Sequence, residues 1–88
     1  MGHGEKSSIL WRCRRGTREM DLLLQHFVEE HYDNLTAEEK ITFKHLLEQS
    51  DPDIMDWIME RTEPPSVAIK HLVEIIRTFR LQQPIYRS

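Results

Sequence analysis

The chain is expected to be all-α, a compact bundle of five short amphipathic helices. Three observations predict it. Apolar residues recur at helical spacing, as in Met20, Leu23, Leu24, Phe27 and Val28. No segment shows the sustained alternation of β-branched and polar residues that marks a strand. Breakers stand at Gly16, in "YDNLT" at 32–36, in "SDPD" at 50–53, in "EPPS" at 63–66 and at Pro84. Between them lie five pieces of helical length with short connections, the pattern of a bundle.

The first helix is expected over about residues 6–15 and ends at Gly16, the residue type that best tolerates the left-handed conformation after a helix. Arg14 and Arg15 would sit in its last turn, where cations suit the negative end of the helix dipole. The second runs from about Thr17 to His31, with Thr17 as cap, Glu19 and Asp21 in the first turn and the apolar set above as its buried face. The third opens with "TAEE", in which Thr36 and Glu39 form a capping box, and buries Phe43, Leu46 and Leu47. The fourth takes Ser50 or Asp51 as cap with Pro52 at the first helical position, and buries Ile54, Trp57 and Ile58. The fifth follows Pro64-Pro65 with Ser66 as cap. It buries Val67 or Ile69, then Leu72, Val73, Ile76 and Phe79. These elements divide the chain into a flexible N-terminal segment, 1–8, one all-α domain, 9–81, and a flexible C-terminal tail, 82–88.

Eighty-eight residues suffice for one modest core and not for a large enclosed cofactor cavity. The net charge of −3 argues against a general nucleic-acid binder. The charge is uneven. Residues 1–28 hold five basic and three acidic side chains, net +2; residues 29–63 hold three and eleven, net −8; residues 64–88 hold four and one, net +3. The acidic middle is a solvated face in the simplest reading, and such a bias also orients a complementary partner. The single cysteine, Cys13, excludes an intrachain disulfide and points to a reducing compartment. No apolar run is long enough for membrane insertion, and "MGHGEKSS" fits neither a secretion signal, an organelle presequence nor a myristoylation site, so a cytoplasmic protein is expected.

Catalytic motifs fail one by one. His26 and His31 are five apart, about 140° around a helix, and cannot reach one ion from one face. Cys13 stands beside Arg12 and Arg14, which would lower an exposed thiol's pKa, yet Ile9 and Leu10 place it on a buried helix face and no histidine is near in sequence. Three glycines, at 2, 4 and 16, form neither GxGxxG nor a P-loop. Trp11 with Arg12, Arg14, Arg15 and Arg18 around a glycine turn loosely resembles a helix-turn-helix, but Glu19, Asp21, Glu29 and Glu30 would repel phosphates.

That leaves the corner "RRGTREMD", residues 14–21, with two readings open. Arg15 and Glu19 form a local ion pair pinning two helices, worth about 0–1 kcal/mol if exposed. Alternatively the corner projects, Gly16 admits a partner's backbone, and Arg15 and Glu19 make charge-assisted hydrogen bonds across an interface.

The pattern W-x-C-R-R-G-x-R-E-x-D, Trp11 to Asp21, resembles the RGxxE signature of the SdhE and Sdh5 family, the small flavinylation factors that assist succinate dehydrogenase. "FVEEHYDNLTAEEK", "FKHLLEQSDPDIMDWIM" and the final helix resemble the family's further blocks in order and spacing, so that the likeness covers roughly residues 9–80. The resemblance implies a five-helix bundle and a non-catalytic assembly factor, or chaperone. Its partner would be the flavoprotein subunit of succinate dehydrogenase, often also that of fumarate reductase, on which it promotes covalent attachment of FAD to a histidine. It implies no stably bound cofactor, a free monomer and a bacterial cytoplasmic member. The partner-binding residues it implies are Arg15, Gly16 and Glu19, with Arg14, Arg18 and Asp21 beside them. The competing expectation is a nucleic-acid-binding or antitoxin-type regulator acting through the cluster Arg12 to Arg18.

Overall fold

A computed structural model describes residues 2–82. Among them are five α-helices: α1 (Gly2–Arg12), α2 (Arg18–His31), α3 (Ala37–Leu47), α4 (Asp51–Ile58) and α5 (Val67–Gln82), with a 3₁₀ turn over Tyr32–Asn34 between α2 and α3. No strand occurs among the described residues. The element types agree with the sequence reading; the first helix differs in extent. It begins at Gly2 and ends at Arg12, so Arg14 and Arg15 lie beyond its last turn, in the connection.

Residues 2–8, expected to be flexible, belong to α1. Two contacts dock this end against the 3₁₀ turn. The Tyr32 hydroxyl donates to Glu5, and Lys6 Nζ lies 3.1 Å from Asp33 Oδ2. The bond from Tyr32, then the nearby Lys44 charge, holds the Glu5 carboxyl below the usual range. The expected tail lies outside the described residues, except that Gln82 still belongs to α5.

The caps follow their chemistry. Thr36 Oγ1 accepts from Glu39 N at 3.1 Å while Glu39 Oε1 accepts from Thr36 N at 2.9 Å, closing the capping box. Ser50 Oγ accepts from Asp53 N, which makes Ser50 the cap of α4 and moves Pro52 to the second helical position. Ser66 Oγ accepts from Ile69 N at 3.2 Å. Of the two residues offered for the start of the α5 face, Ile69 is buried and Val67 is exposed. The far end of α4 is closed by a side chain from α5: Arg77 donates to the Trp57 carbonyl at 2.8 Å and the Ile58 carbonyl at 3.0 Å.

α5 packs on α3, α4 and α2, and α1 packs on α2. The core unites Met20, Leu23, Leu24, Phe27 and Val28 with Phe43, Leu46, Ile54, Leu72, Val73 and Ile76. At its centre Phe27 lies 5.8 Å from Phe43 and 5.6 Å from Phe79 between ring centroids, the Phe79 contact being edge-on. Cys13 is fully buried in the same cluster.

Burial pushes the Cys13 thiol up to about 12, against the opposing pull of Arg15. In the native protein it should therefore resist iodoacetamide at pH 8, and react at the rate of a free thiol only in denaturant. The unfolded chain ionises this thiol near its ordinary value of 9.0, so its contribution to stability is intact below pH 9 and is lost as pH rises from there towards 12. Rapid alkylation of the folded protein at pH 8 would contradict the burial.

Candidate functional site

The connection between α1 and α2 is built from the backbone outward. α1 closes with Cys13 N donating to the Ile9 and Leu10 carbonyls, and Arg14 N donating to the Trp11 carbonyl at 3.1 Å. The chain then turns at Gly16, whose φ of +98° lies where an L side chain is strained. No heavy atom beyond its chain neighbours lies within 4 Å of where a Cβ would stand. Glycine is therefore needed for the backbone path and not to make room inside the protein. Outside, it leaves bare backbone open to solvent.

Two aspartates hold the turn. Asp21, in the first turn of α2, accepts from Arg15 N at 2.8 Å with Oδ1 and from Gly16 N at 3.3 Å with Oδ2. Asp51, the first residue of α4, accepts from Arg15 Nε with Oδ1 and from Thr17 Oγ1 at 3.1 Å with Oδ2. Thr17 caps α2 by position and makes no side-chain cap bond; its hydroxyl serves Asp51.

Arg15 is consumed by this arrangement. Besides Asp51, its guanidinium donates to the Leu47 carbonyl at 2.6 Å and to the Gln49 carbonyl. These belong to the last residue of α3 and the loop after it, where carbonyls lack helical partners and a cation is favoured. The Arg15 side chain is 14% exposed and that of Asp51 25%. The expected local pair between Arg15 and Glu19 is replaced by this long-range one, and Arg15 does not project. Asp21 likewise faces inward, onto the turn it braces.

What remains outside is Arg14, Gly16, Arg18 and Glu19, all exposed. Arg14 lies over the indole of Trp11, 5.1 Å from its centroid. Arg12 reaches across to the Lys44 carbonyl at 3.3 Å. The six site residues thus divide by role. Arg15 and Asp21 shape the corner, and the other four present it. Sequence reasoning missed Asp51 as the brace: it stands 36 residues from Arg15, where no local spacing rule connects them.

The sequence profile of the Sdh5 family, described as flavinator of succinate dehydrogenase, matches residues 7–80. The chain belongs to that family. It is 42% identical over 73 residues to the FAD assembly factor SdhE of a Serratia species, covering 83% of each chain. With the FAD assembly factor SdhE of Legionella pneumophila the identity is also 42%, over 80 residues, covering 91% of this chain and 96% of that one. The solution structure of a UPF0350 protein superposes with a TM-score of 0.79 at 33% identity, over 96% of this chain and 90% of the other. The family match begins within α1 and ends within α5, so it takes in the corner and its brace together.

Asp51→Ala should cost about 1.5–3 kcal/mol, the range for a hydrogen-bonded charge left without its partner. Urea unfolding followed by helical circular dichroism measures it. Arg15→Lys should lose a similar amount, because one ammonium cannot serve a carboxylate and two carbonyls held around a planar fork. Stability unchanged in both variants would show that the corner is braced by other contacts.

Proposed function

We propose that this family member assists covalent attachment of FAD to the flavoprotein subunit of succinate dehydrogenase, docking through the corner formed by Arg14, Gly16, Arg18 and Glu19. The observation that carries the reading is the braced, exposed glycine. Gly16 offers a surface without a side chain, flanked by charges of both signs, on a turn that two aspartates hold in place. A partner's backbone can approach such a surface closely, and a preformed corner loses little conformational freedom on docking.

The protein is not itself an enzyme on this reading and holds no FAD of its own. The covalent bond forms between the flavin and a histidine of the partner. This chain supplies binding energy that favours the flavoprotein conformation in which the two are correctly placed. Such a shift is limited by the difference in affinity for the competing conformations, and positioning alone lowers a barrier by several kcal/mol. Fumarate reductase flavoprotein is a second client on the same reading, the free protein is a monomer, and the work is done in the cytoplasm. No helix among the described residues is long and apolar enough to cross a membrane. The alternative of a nucleic-acid or antitoxin-type regulator has less to draw on than the sequence suggested: Arg15 is turned inward and Arg12 is engaged with a carbonyl, so the cluster presents fewer free cations.

The test is covalent flavin in the succinate dehydrogenase flavoprotein subunit, read by in-gel fluorescence after denaturation. Deleting the gene should remove most of the signal and the wild-type gene should restore it. Gly16→Arg should leave it at least ten-fold lower; the left-handed backbone adds a strain of about 1–2 kcal/mol, small enough for the fold to persist. Glu19→Ala should also fail to restore it. Full flavinylation in the deletion strain would remove the assembly reading for that host.

A further inference from the structure

Trp11 is 70% exposed even with Arg14 over its ring, whereas the other tryptophan, Trp57, is 7% exposed in the core. An indole left in water without a packing role is a feature to be explained. It borders a cleft of about 380 Å³ whose lining also includes Leu10 and Arg14 from the α1 side and Gln25 and Glu29 from α2. Arg14 is two residues from Gly16, and two residues span at most about 7 Å, so the cleft opens beside the corner.

We propose that Trp11 is the apolar anchor of the partner interface, and that its cleft takes a segment of the flavoprotein bearing an acidic side chain next to an apolar one. The inference rests on the flavoprotein reading and extends the docking surface from the corner onto α1. Charge complementarity chooses the occupant. Arg14 is exposed in the lining, Arg18 is exposed at the start of α2, and Glu29 is the single acid in the lining. A carboxylate meets Arg14 while its apolar neighbour covers the indole. Tryptophan and arginine are also the side chains that most often dominate interface energetics when a partner buries them.

The experiment measures binding of the full-length protein to the apo flavoprotein subunit of succinate dehydrogenase by titration calorimetry, with helical circular dichroism as the check on fold. Trp11→Ala should weaken binding about thirty-fold and Trp11→Phe only a few-fold. Arg14→Glu should weaken it at least ten-fold, and the remaining affinity should depend less on salt. In the wild type, Trp11 emission should shift to shorter wavelength on binding, and the shift should vanish in Trp11→Phe. Wild-type affinity in Trp11→Ala, with binding lost in Gly16→Arg, overturns the anchor and keeps the corner. Weak binding in Trp11→Ala with none of the loss in Arg14→Glu overturns the acidic occupant. A Trp11-dependent dimer of the free protein in sedimentation overturns it in favour of a second copy. Wild-type affinity in all variants, Gly16→Arg included, overturns the flavoprotein reading itself. Should Trp11→Ala unfold, Arg14→Glu and the emission shift decide the question.

Discussion

The guanidinium of Arg15 is the point on which the shape of the corner depends. It reaches from the connection between α1 and α2 to the turn between α3 and α4, and finds three kinds of need there at once. Leu47 and Gln49 have carbonyls without helical partners, Asp51 is a carboxylate at the head of α4, and the corner itself needs an anchor. A half-buried ion pair alone contributes little, because desolvation offsets the Coulombic gain. Here the pair is supplemented by two carbonyl acceptors, and the second oxygen of Asp51 takes the Thr17 hydroxyl. The satisfied geometry is what turns a charge pair into a brace.

The same device recurs at the opposite end of α4. Arg77 from α5 covers the carbonyls of Trp57 and Ile58, and the chain leaves that helix through Glu60 at φ +62°, an unusual conformation for a residue with a side chain. With three glycines in 88 residues, the chain has few of the usual glycine exits from helices. Two arginines do part of that work, Arg15 from the connection between α1 and α2 and Arg77 from α5. Because each guanidinium links a helix end to a distant segment of the chain, capping and tertiary packing become one interaction.

Most of the fold was legible because its signals are local. The capping box of Thr36 and Glu39, Ser50 before Pro52, and the apolar stripe Met20 to Val28 each depend on residues two to eight apart. The extent of α1 was not legible. Its first residues read as a polar tail, and what docks them is Glu5 on Tyr32 and Lys6 on Asp33, contacts 27 residues apart in the chain. The site was half legible for the same reason. "RRGTREMD" stood out, yet which of its charges face inward is decided by Asp51, and pairing across 36 residues leaves no periodicity to read. The acidic middle, read first as a solvated face, contributes at least this one residue to the corner.

The division of labour within the motif has a consequence for how such a small protein could act on a large one. If Arg15 were itself an interface contact, docking would have to break its bonds to Asp51 and to two carbonyls before making new ones. On the proposed docking mode, with Arg15 and Asp21 committed inward, those bonds would survive docking, and the free energy of association would come from groups already in water: the open position at Gly16, the charges at Arg14, Arg18 and Glu19, and the indole of Trp11. A rigid surface of this kind favours the one partner conformation that fits it and disfavours the rest, because it cannot adapt to them. That selectivity, and not a reacting side chain, is what an assembly factor needs when the covalent chemistry belongs to its client. Gly16 combines two demands: its φ of +98° strains any L side chain, and on the proposed docking mode a side chain there would also occupy the open space through which the client approaches.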